Sequence, residues 1–210
     1  MRLFLASQDF GNHANRLSEM VGDNRKALVI TNARDYKEDK GLDVKRKLFK
    51  QNNLDFQELD LRNYFGKSDE LRSFIDDYQP GLVVLTGGNV FLLRRALYQS
   101  GFDEILKKDI RNNKYVLAGY SAGSIVVGPD LHGFKQLDNP YLVLPGYQEE
   151  IVWDGLGLID ILVLPHADSP KYSQKIADAS DLFGRKNWRH VVLNDSDVFV
   201  VDDGKKEVLR

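Results

Sequence analysis

Three side chains in the second half of the chain could together catalyse acyl transfer: Ser121, His166 and Asp195. Ser121 is the centre of a Gly-x-Ser-x-Gly pattern at residues 119–123, between an apolar run and an apolar helix start. In a nucleophile elbow, a serine on such a strained strand-to-helix turn exposes its hydroxyl, and the small flanking residues avoid a steric clash. The alternative interpretation is a glycine-rich turn whose serine caps a helix.

A nucleophilic serine requires a base, and the chain has four histidines. His166 lies just past the buried run Ile161–Leu164, where the carboxyl edge of an open α/β sheet gathers catalytic groups. His13 and His132 lie in loop sequence, and His190 begins a terminal strand. His166 is therefore the predicted base, the alternative being a histidine that only caps the next helix or bonds a loop backbone.

The residues alone do not identify the acid that orients the histidine. Asp195 and Asp197 lie in a turn between two short strands, and turn aspartates are commonly only turn formers. Four upstream carboxylates compete with them: Asp130, Asp138, Asp154 and Asp160. The residue pattern leaves this choice open.

A second glycine turn could stabilise an oxyanion. The buried run 82–86 leads into Gly87-Gly88-Asn89, where bare backbone N–H groups could approach a substrate closely. The alternative is a phosphate-binding loop or a plain turn. A Walker A motif is absent, and so is a complete Gly-x-Gly-x-x-Gly fingerprint, which weakens a nucleotide-binding interpretation.

The elements that must position these groups alternate along the chain. Short apolar runs predict strands at 3–6, 27–31, 54–59, 82–86, 115–119, 161–164, 191–193, 198–201 and 207–209. Helical patterns occupy 37–51, 68–78 (with Ser68 as N-cap), 91–99, 103–112 and 169–183. This alternation predicts one α/β domain over residues 1–210, with a mostly parallel sheet between helix layers. The last three strands, 191–193, 198–201 and 207–209, predict a small antiparallel extension at one edge.

Composition excludes several classes of protein. The 210 residues carry a formal net charge of -2, so nothing favours binding to nucleic acid or an anionic membrane. Cysteine is absent, which excludes disulfides, thiolate metal sites and a cysteine nucleophile. No signal peptide or membrane span is evident, so we expect a cytoplasmic protein.

Three motifs in order resemble the S51 serine peptidases, the family of peptidase E and cyanophycinase. They are the Gly-Gly-Asn turn at 87–89 followed by an aromatic, the Gly-x-Ser-Ala-Gly elbow at 119–123, and the Leu-Pro-His at 164–166 after Gly-Leu-Gly at 155–157. The resemblance implies a class I glutamine amidotransferase-like, or flavodoxin-like, three-layer fold. It also implies a serine peptidase that cleaves short peptides, as a dipeptidase does, through an acyl-enzyme.

The resemblance also assigns roles to residues. Ser121 is the implied nucleophile, His166 the base, and the backbone N–H groups of Gly88 and Ala122 the oxyanion hole. The family acid is commonly Glu, and its position falls here on Asp195, one methylene shorter. Asp195 can orient the imidazole only if its backbone lies closer.

We also expect substrate contacts at three further residues: Asn89, Lys171 and Lys175. Peptidase E enzymes carry an arginine after the histidine that holds the substrate's aspartate, but residues 167–175 contain none. A lysine would supply a point charge without the bidentate fork of arginine. We therefore expect a weak or lost preference for N-terminal aspartate, with Arg94, Arg95 and Arg185 as other sources of charge. No cofactor or metal is expected, and the protein is expected to be a monomer or homodimer.

Two other functions remain open. An α/β-hydrolase esterase also has the elbow, but its triad order of Ser, acid, His would require His190 with an upstream carboxylate. A degenerate relative could bind a peptide or small ligand without turnover. A glutamine amidotransferase is disfavoured because its nucleophile would be a cysteine.

Overall fold

The computed structural model describes all 210 residues, and its strands build two sheets. The strands are β1 (Arg2–Ala6), β2 (Lys26–Ile30), β3 (Asp55–Glu58), β4 (Leu82–Leu85), β5 (Val116–Tyr120), β6 (Leu162–Leu164), β7 (His190–Val192), β8 (Val198–Asp202) and β9 (Lys205–Leu209). The main sheet has seven strands in the order β3-β2-β4-β5-β1-β8-β9. Its first five strands are mutually parallel, and β8 and β9 are antiparallel additions. The predicted fold class is confirmed.

Seven α-helices cover the two faces of the main sheet. They are α1 (Ala14–Val21), α2 (Leu42–Gln51), α3 (Ser68–Tyr78), α4 (Val90–Ser100), α5 (Phe102–Arg111), α6 (Ala122–Ile125) and α7 (Ser173–Arg185). Alternate residues of the central strands enter two separate cores, as the two-residue period of a strand requires. The larger core contains side chains of α3 to α7, and the smaller one contains side chains of α1 and α2. None of the helices combines the length and the apolar character needed to cross a membrane.

The placement of one strand differs from the sequence prediction. The run 191–193 was expected in the antiparallel extension, but β7 pairs in parallel with β6 in a separate two-stranded sheet. Only β8 and β9 form the antiparallel edge, where β8 pairs with β1 on one side and β9 on the other. The apolar pattern shows that a strand is buried, but it does not identify the neighbour that buries it.

Helix boundaries show smaller differences. Helix α2 begins at Leu42 rather than near residue 37, and α7 begins at Ser173 rather than 169. The N-cap of α3 is Lys67, so Ser68 is the first helical residue and does not cap it. Helix α1 was not predicted, although Leu17, Met20 and Val21 are buried on one of its faces. Its eight residues offered too short a pattern to recognise.

The carboxyl edge of the main sheet collects the segments of chemical interest. Strands β1, β2, β4 and β5 all end there because they are parallel. Strand β8 runs in the opposite direction, so the turn that precedes it reaches the same edge. The fold thus brings together residues that lie more than a hundred positions apart in the chain.

Candidate active site

Ser121 lies on a strained turn between β5 and α6. Its backbone has φ 53° and ψ -119°, a conformation that a non-glycine residue rarely adopts and that persists only where the surrounding structure holds it. Gly123 permits this turn, because a Cβ there would lie 1.9 Å from the carbonyl oxygen of Leu85. The local geometry is that of a nucleophile elbow.

The imidazole of His166 links Ser121 to Asp195. Its Nε2 lies 2.9 Å from the Ser121 Oγ, and its Nδ1 lies 2.6 Å from the Asp195 Oδ1. Tyr172 stacks on the ring with centroids 5.2 Å apart. These contacts hold the imidazole in one orientation between a hydroxyl and a carboxylate. The structure therefore brings together the three residues singled out from the sequence.

The loop that carries Asp195 is drawn toward the histidine by backbone contacts. The Asp195 amide donates to the Asp168 carboxylate at 2.7 Å, and the Ala167 amide donates to the Leu193 carbonyl at 3.0 Å. Both bonds connect the segment after His166 to the segment around Asp195. Because the two segments lie close together, the aspartate side chain reaches the imidazole although it is one methylene shorter than glutamate.

Ser7, directly after β1, contacts all three of these residues. Its Oγ accepts a hydrogen bond from the His166 amide at 2.7 Å and donates to the Asp195 Oδ1 at 3.2 Å. Its carbonyl accepts from the Ser121 amide at 3.0 Å. The side chain is fully buried. Sequence reasoning missed Ser7, and its position at the end of a strand beside β5 was the only available signal.

Two backbone N–H groups beside the Ser121 hydroxyl belong to Gly88 and Ala122. Gly88 follows β4, and its φ is 152°. A Cβ at this position would lie 2.2 Å from the Ala33 carbonyl oxygen, so only glycine fits. Neither amide donates a hydrogen bond within the protein. Free backbone donors beside a nucleophile suit the developing charge on an oxyanion.

The Ser121 hydroxyl faces a cleft of about 720 Å³, called here the Ser121 cleft, whose lining includes Gly88, His166, Asp138, Arg34 and Lys171. Burial raises the pKa of Asp138 to about 6, although the hydrogen bond from the Val90 amide and nearby positive charges oppose this shift. The cleft therefore carries charges of both signs close to the serine.

The three predicted substrate contacts have different surroundings. Lys171 lines the cleft, with its Nζ 4.8 Å from the centre of the Tyr172 ring. Lys175 is exposed on α7 and is not part of the cleft lining. The Asn89 side chain caps α4 by accepting from the Phe91 amide, and it donates to the Asn139 carbonyl at 3.0 Å. The structure thus places only Lys171 of the three in the cleft.

His190 and His132 contact groups other than Ser121. The Nε2 of His190 lies 3.0 Å from the Ser180 Oγ, and its Nδ1 lies 2.9 Å from the Trp188 carbonyl oxygen. His132 bonds Asp130 and stacks on Trp153. An esterase arrangement with His190 as the base is therefore absent.

The fold and the site define an α/β protein with a serine on an elbow at the carboxyl edge of its sheet. The sequence model of Peptidase family S51 matches residues 3–209, and the chain belongs to that family. A crystal structure of a candidate peptidase E from Listeria monocytogenes EGD-e has a similar fold, with a TM-score of 0.81 and 19% identity over 100% of this chain and 98% of that one. A peptidase from an acI-B1 Actinobacterium is more distant, with a TM-score of 0.61 and 16% identity over 99% of this chain and 86% of that one.

Two curated relatives are similar in sequence over part of their length. The uncharacterized peptidase Lin0382 of Listeria innocua serovar 6a is 28% identical over 58% of this chain and 56% of its own. The uncharacterized peptidase Lmo0363 of Listeria monocytogenes serovar 1/2a is 23% identical over 56% of this chain and 55% of its own. The matches thus span about half the length of these relatives. Membership of the family supports a peptidase.

Proposed function

We propose that the protein is a serine peptidase that hydrolyses short peptides through Ser121, His166 and Asp195. The observation that carries this proposal is the unbroken hydrogen-bonded chain from the Ser121 Oγ through the imidazole to the Asp195 carboxylate. Nucleophile, base and orienting acid have the mutual geometry that acyl transfer requires. Family membership supports the same class of reaction.

The geometry implies the following steps. His166 Nε2 accepts the proton of the Ser121 hydroxyl as its Oγ attacks the scissile carbonyl carbon, and Asp195 stabilises the imidazolium that forms. The amides of Gly88 and Ala122 donate to the oxyanion of the tetrahedral intermediate. The imidazolium then protonates the leaving amine as the C–N bond breaks, which leaves an acyl-enzyme. Water, deprotonated by the same imidazole, hydrolyses the ester and restores Ser121.

Labelling with a fluorophosphonate tests the nucleophile. We expect the probe to modify Ser121 and not Ser124, two residues that share the same turn. The hydroxyl of Ser124 is fully buried, 2.7 Å from the Ala6 carbonyl oxygen and 2.8 Å from that of Gly119. Mass spectrometry of the labelled peptide distinguishes the two serines. A folded protein that takes no label would instead be a non-catalytic binder.

A further inference from the structure

The wall of the Ser121 cleft contains an arginine whose position is fixed by the backbone. Arg34 ends a 3-10 turn, Asn32–Arg34, which follows β2. The preceding Ala33 carbonyl accepts a hydrogen bond from the Asn89 amide at 2.8 Å and lies against Gly88. The turn is therefore anchored directly to the segment that presents the Gly88 amide. Arg34 and Ser121 line the same cleft.

The guanidinium of Arg34 has no partner within the protein. No carboxylate lies within ion-pair distance, and its Nε is buried without a hydrogen-bond acceptor. The neighbouring Asp35 carboxylate is used elsewhere, by Lys40 at 2.5 Å and the Tyr147 hydroxyl at 2.5 Å. An unpaired buried donor of a charged group is costly unless a ligand satisfies it.

The other three arginines named in the sequence analysis either have partners within the protein or lie outside the cleft. Arg94 pairs with Asp103 at 2.9 Å and also donates to the Asp154 carbonyl at 2.7 Å. Arg95 is fully buried and donates to the carbonyls of the 140–150 segment. Arg185 is exposed on α7, outside the cleft lining.

A second cation strengthens the positive charge on this wall. Lys45 also lines the cleft, and its Nζ donates to the Lys40 carbonyl at 2.9 Å rather than to a carboxylate. Burial, and then the charge of Arg34, lowers the pKa of Lys45. The two carboxylates in the cleft lining, Asp9 and Asp138, lie beyond ion-pair distance of Arg34. An anion from outside the protein is the group that these cations lack.

We propose that Arg34 binds a carboxylate of the peptide substrate and so sets the specificity of the site. This inference rests on the proposed peptidase function. The planar guanidinium can hold a carboxylate through two parallel hydrogen bonds, which no lysine of the cleft can do. The carboxylate belongs either to an acidic side chain of the substrate or to its carboxyl terminus.

Calorimetric titration of the Ser121→Ala protein measures binding without turnover. The ligands form two matched pairs: Asp-Leu against Asn-Leu, and Ala-Leu against Ala-Leu amide. Adding Arg34→Met should weaken binding of the carboxylate-bearing member of one pair by about 10- to 100-fold. Its neutral counterpart should change by less than about 2-fold. The pair that responds identifies the carboxylate.

Control variants separate this role from general effects. Arg34→Lys should recover only part of the lost affinity, because the charge remains but the fork is gone. Arg185→Met removes an exposed arginine outside the cleft and should change no affinity. Thermal unfolding checks that Arg34→Met remains folded. The proposal would be overturned if Arg34→Met weakened the two members equally in both pairs, or if the charge preference were lost only in Lys171→Met.

Failure of the proposed function would look different. A protein that is not labelled and hydrolyses no peptide, yet loses its carboxylate preference in Arg34→Met, would be a binding protein with the subsite intact. A second outcome is a protein that is labelled and hydrolyses peptides, but in which Arg34→Met leaves the kcat/KM ratios of Asp-Leu to Asn-Leu and of Ala-Leu to Ala-Leu amide at their wild-type values. That protein would be a peptidase without the Arg34 subsite. Absence of both binding and hydrolysis would overturn the two proposals together.

Discussion

Asp195 bonds the imidazole of His166 and Asp138 lines the Ser121 cleft, so we expect the two carboxylates to affect catalysis differently. Asp195 contacts the imidazole of His166, whereas Asp138 accepts from the Val90 amide. Asp195→Asn should lower kcat by about 10³- to 10⁴-fold, because the amide no longer holds the imidazole in the required tautomer. Asp138→Asn should lower kcat by less than about 10-fold. Steady-state kinetics on one dipeptide decides the assignment, and the reverse order of effects would make Asp138 the acid.

Ser7 should act as a positioning residue for the same chain of hydrogen bonds. Ser7→Ala removes the hydroxyl that joins the His166 amide to Asp195, and we expect kcat to fall by about 10-fold with KM unchanged. Ser124→Ala is the matched control, since that hydroxyl is equally buried but bonds only backbone carbonyls. The control should lose stability without losing kcat per folded molecule. Equal kcat in the two variants would reduce Ser7 to a packing role.

At the scale of single residues, the sequence predicted what short motifs encode. Ser121 and His166 follow apolar strands directly, so spacing alone pointed to both. The identity of the acid was open from the residues, since several aspartates follow turns and only folding determines their distance to the imidazole. Ser7 and Arg34 carry no motif, because their roles depend on neighbours that are distant in sequence.

The elbow between β5 and α6 is an element whose glycine can be tested. Gly123→Ala places a Cβ against backbone atoms of β4, which cannot shift as a flexible side chain could. We expect a loss of about 1–3 kcal/mol in the free energy of unfolding and loss of fluorophosphonate labelling in the folded fraction. Denaturant unfolding and labelling measure the two effects.

Gly184 offers a matched control for that substitution. It lies within α7, and a Cβ built there meets nothing within 4 Å. Gly184→Ala should stabilise the protein by up to about 1 kcal/mol, because alanine restricts the unfolded chain and favours the helix. Labelling of Ser121 should be unchanged. A Gly123→Ala protein that behaves like Gly184→Ala would contradict the tight contact between the elbow and β4.

Helix α3 was predicted closely, whereas the short α1 was missed and α2 and α7 begin later than predicted. The bounds of α3 agree with the prediction, because its apolar residues recur at helical spacing. Helix α2 begins later than predicted because residues 37–41 form a loop whose charges resemble a solvated helix face. Sequence patterns report which side of an element is apolar, but they do not report where its backbone hydrogen bonds begin.

For the whole molecule, the class of fold could be predicted but the order of strands could not. Continuous apolar runs imply strands covered on both faces, which the two cores on either side of the sheet bear out. Strands β6 and β7 pair with each other in a separate sheet, and their apolar patterns do not reveal this partner. That information lies in contacts between distant segments such as β1 with β8, which join the two ends of the chain.

The free energy of unfolding of the whole protein should depend on pH in a way that reflects the burial of Asp138. The folded state raises the pKa of this carboxyl from 3.8 to about 6, so the folded protein binds more protons than the unfolded chain between these pH values. Stability from this group therefore falls as pH rises through that window. Asp138→Asn keeps an acceptor for the Val90 amide but cannot ionise. It should match the wild type near pH 4 and exceed it by about 1–3 kcal/mol at pH 7.

The difference in unfolding free energy between wild type and Asp138→Asn, measured by urea from pH 4 to pH 7, isolates this group from all other titrations. Asp160→Asn provides a control whose difference from wild type should stay nearly constant over this pH range. Asp160 is exposed and bonds Lys206 at 3.0 Å, which lowers its pKa, so its contribution is present at neutral pH and is lost as pH falls through the lowered pKa. A difference for Asp138→Asn that is constant with pH would mean that the carboxyl at the Ser121 cleft is as well solvated in the folded protein as in the unfolded chain.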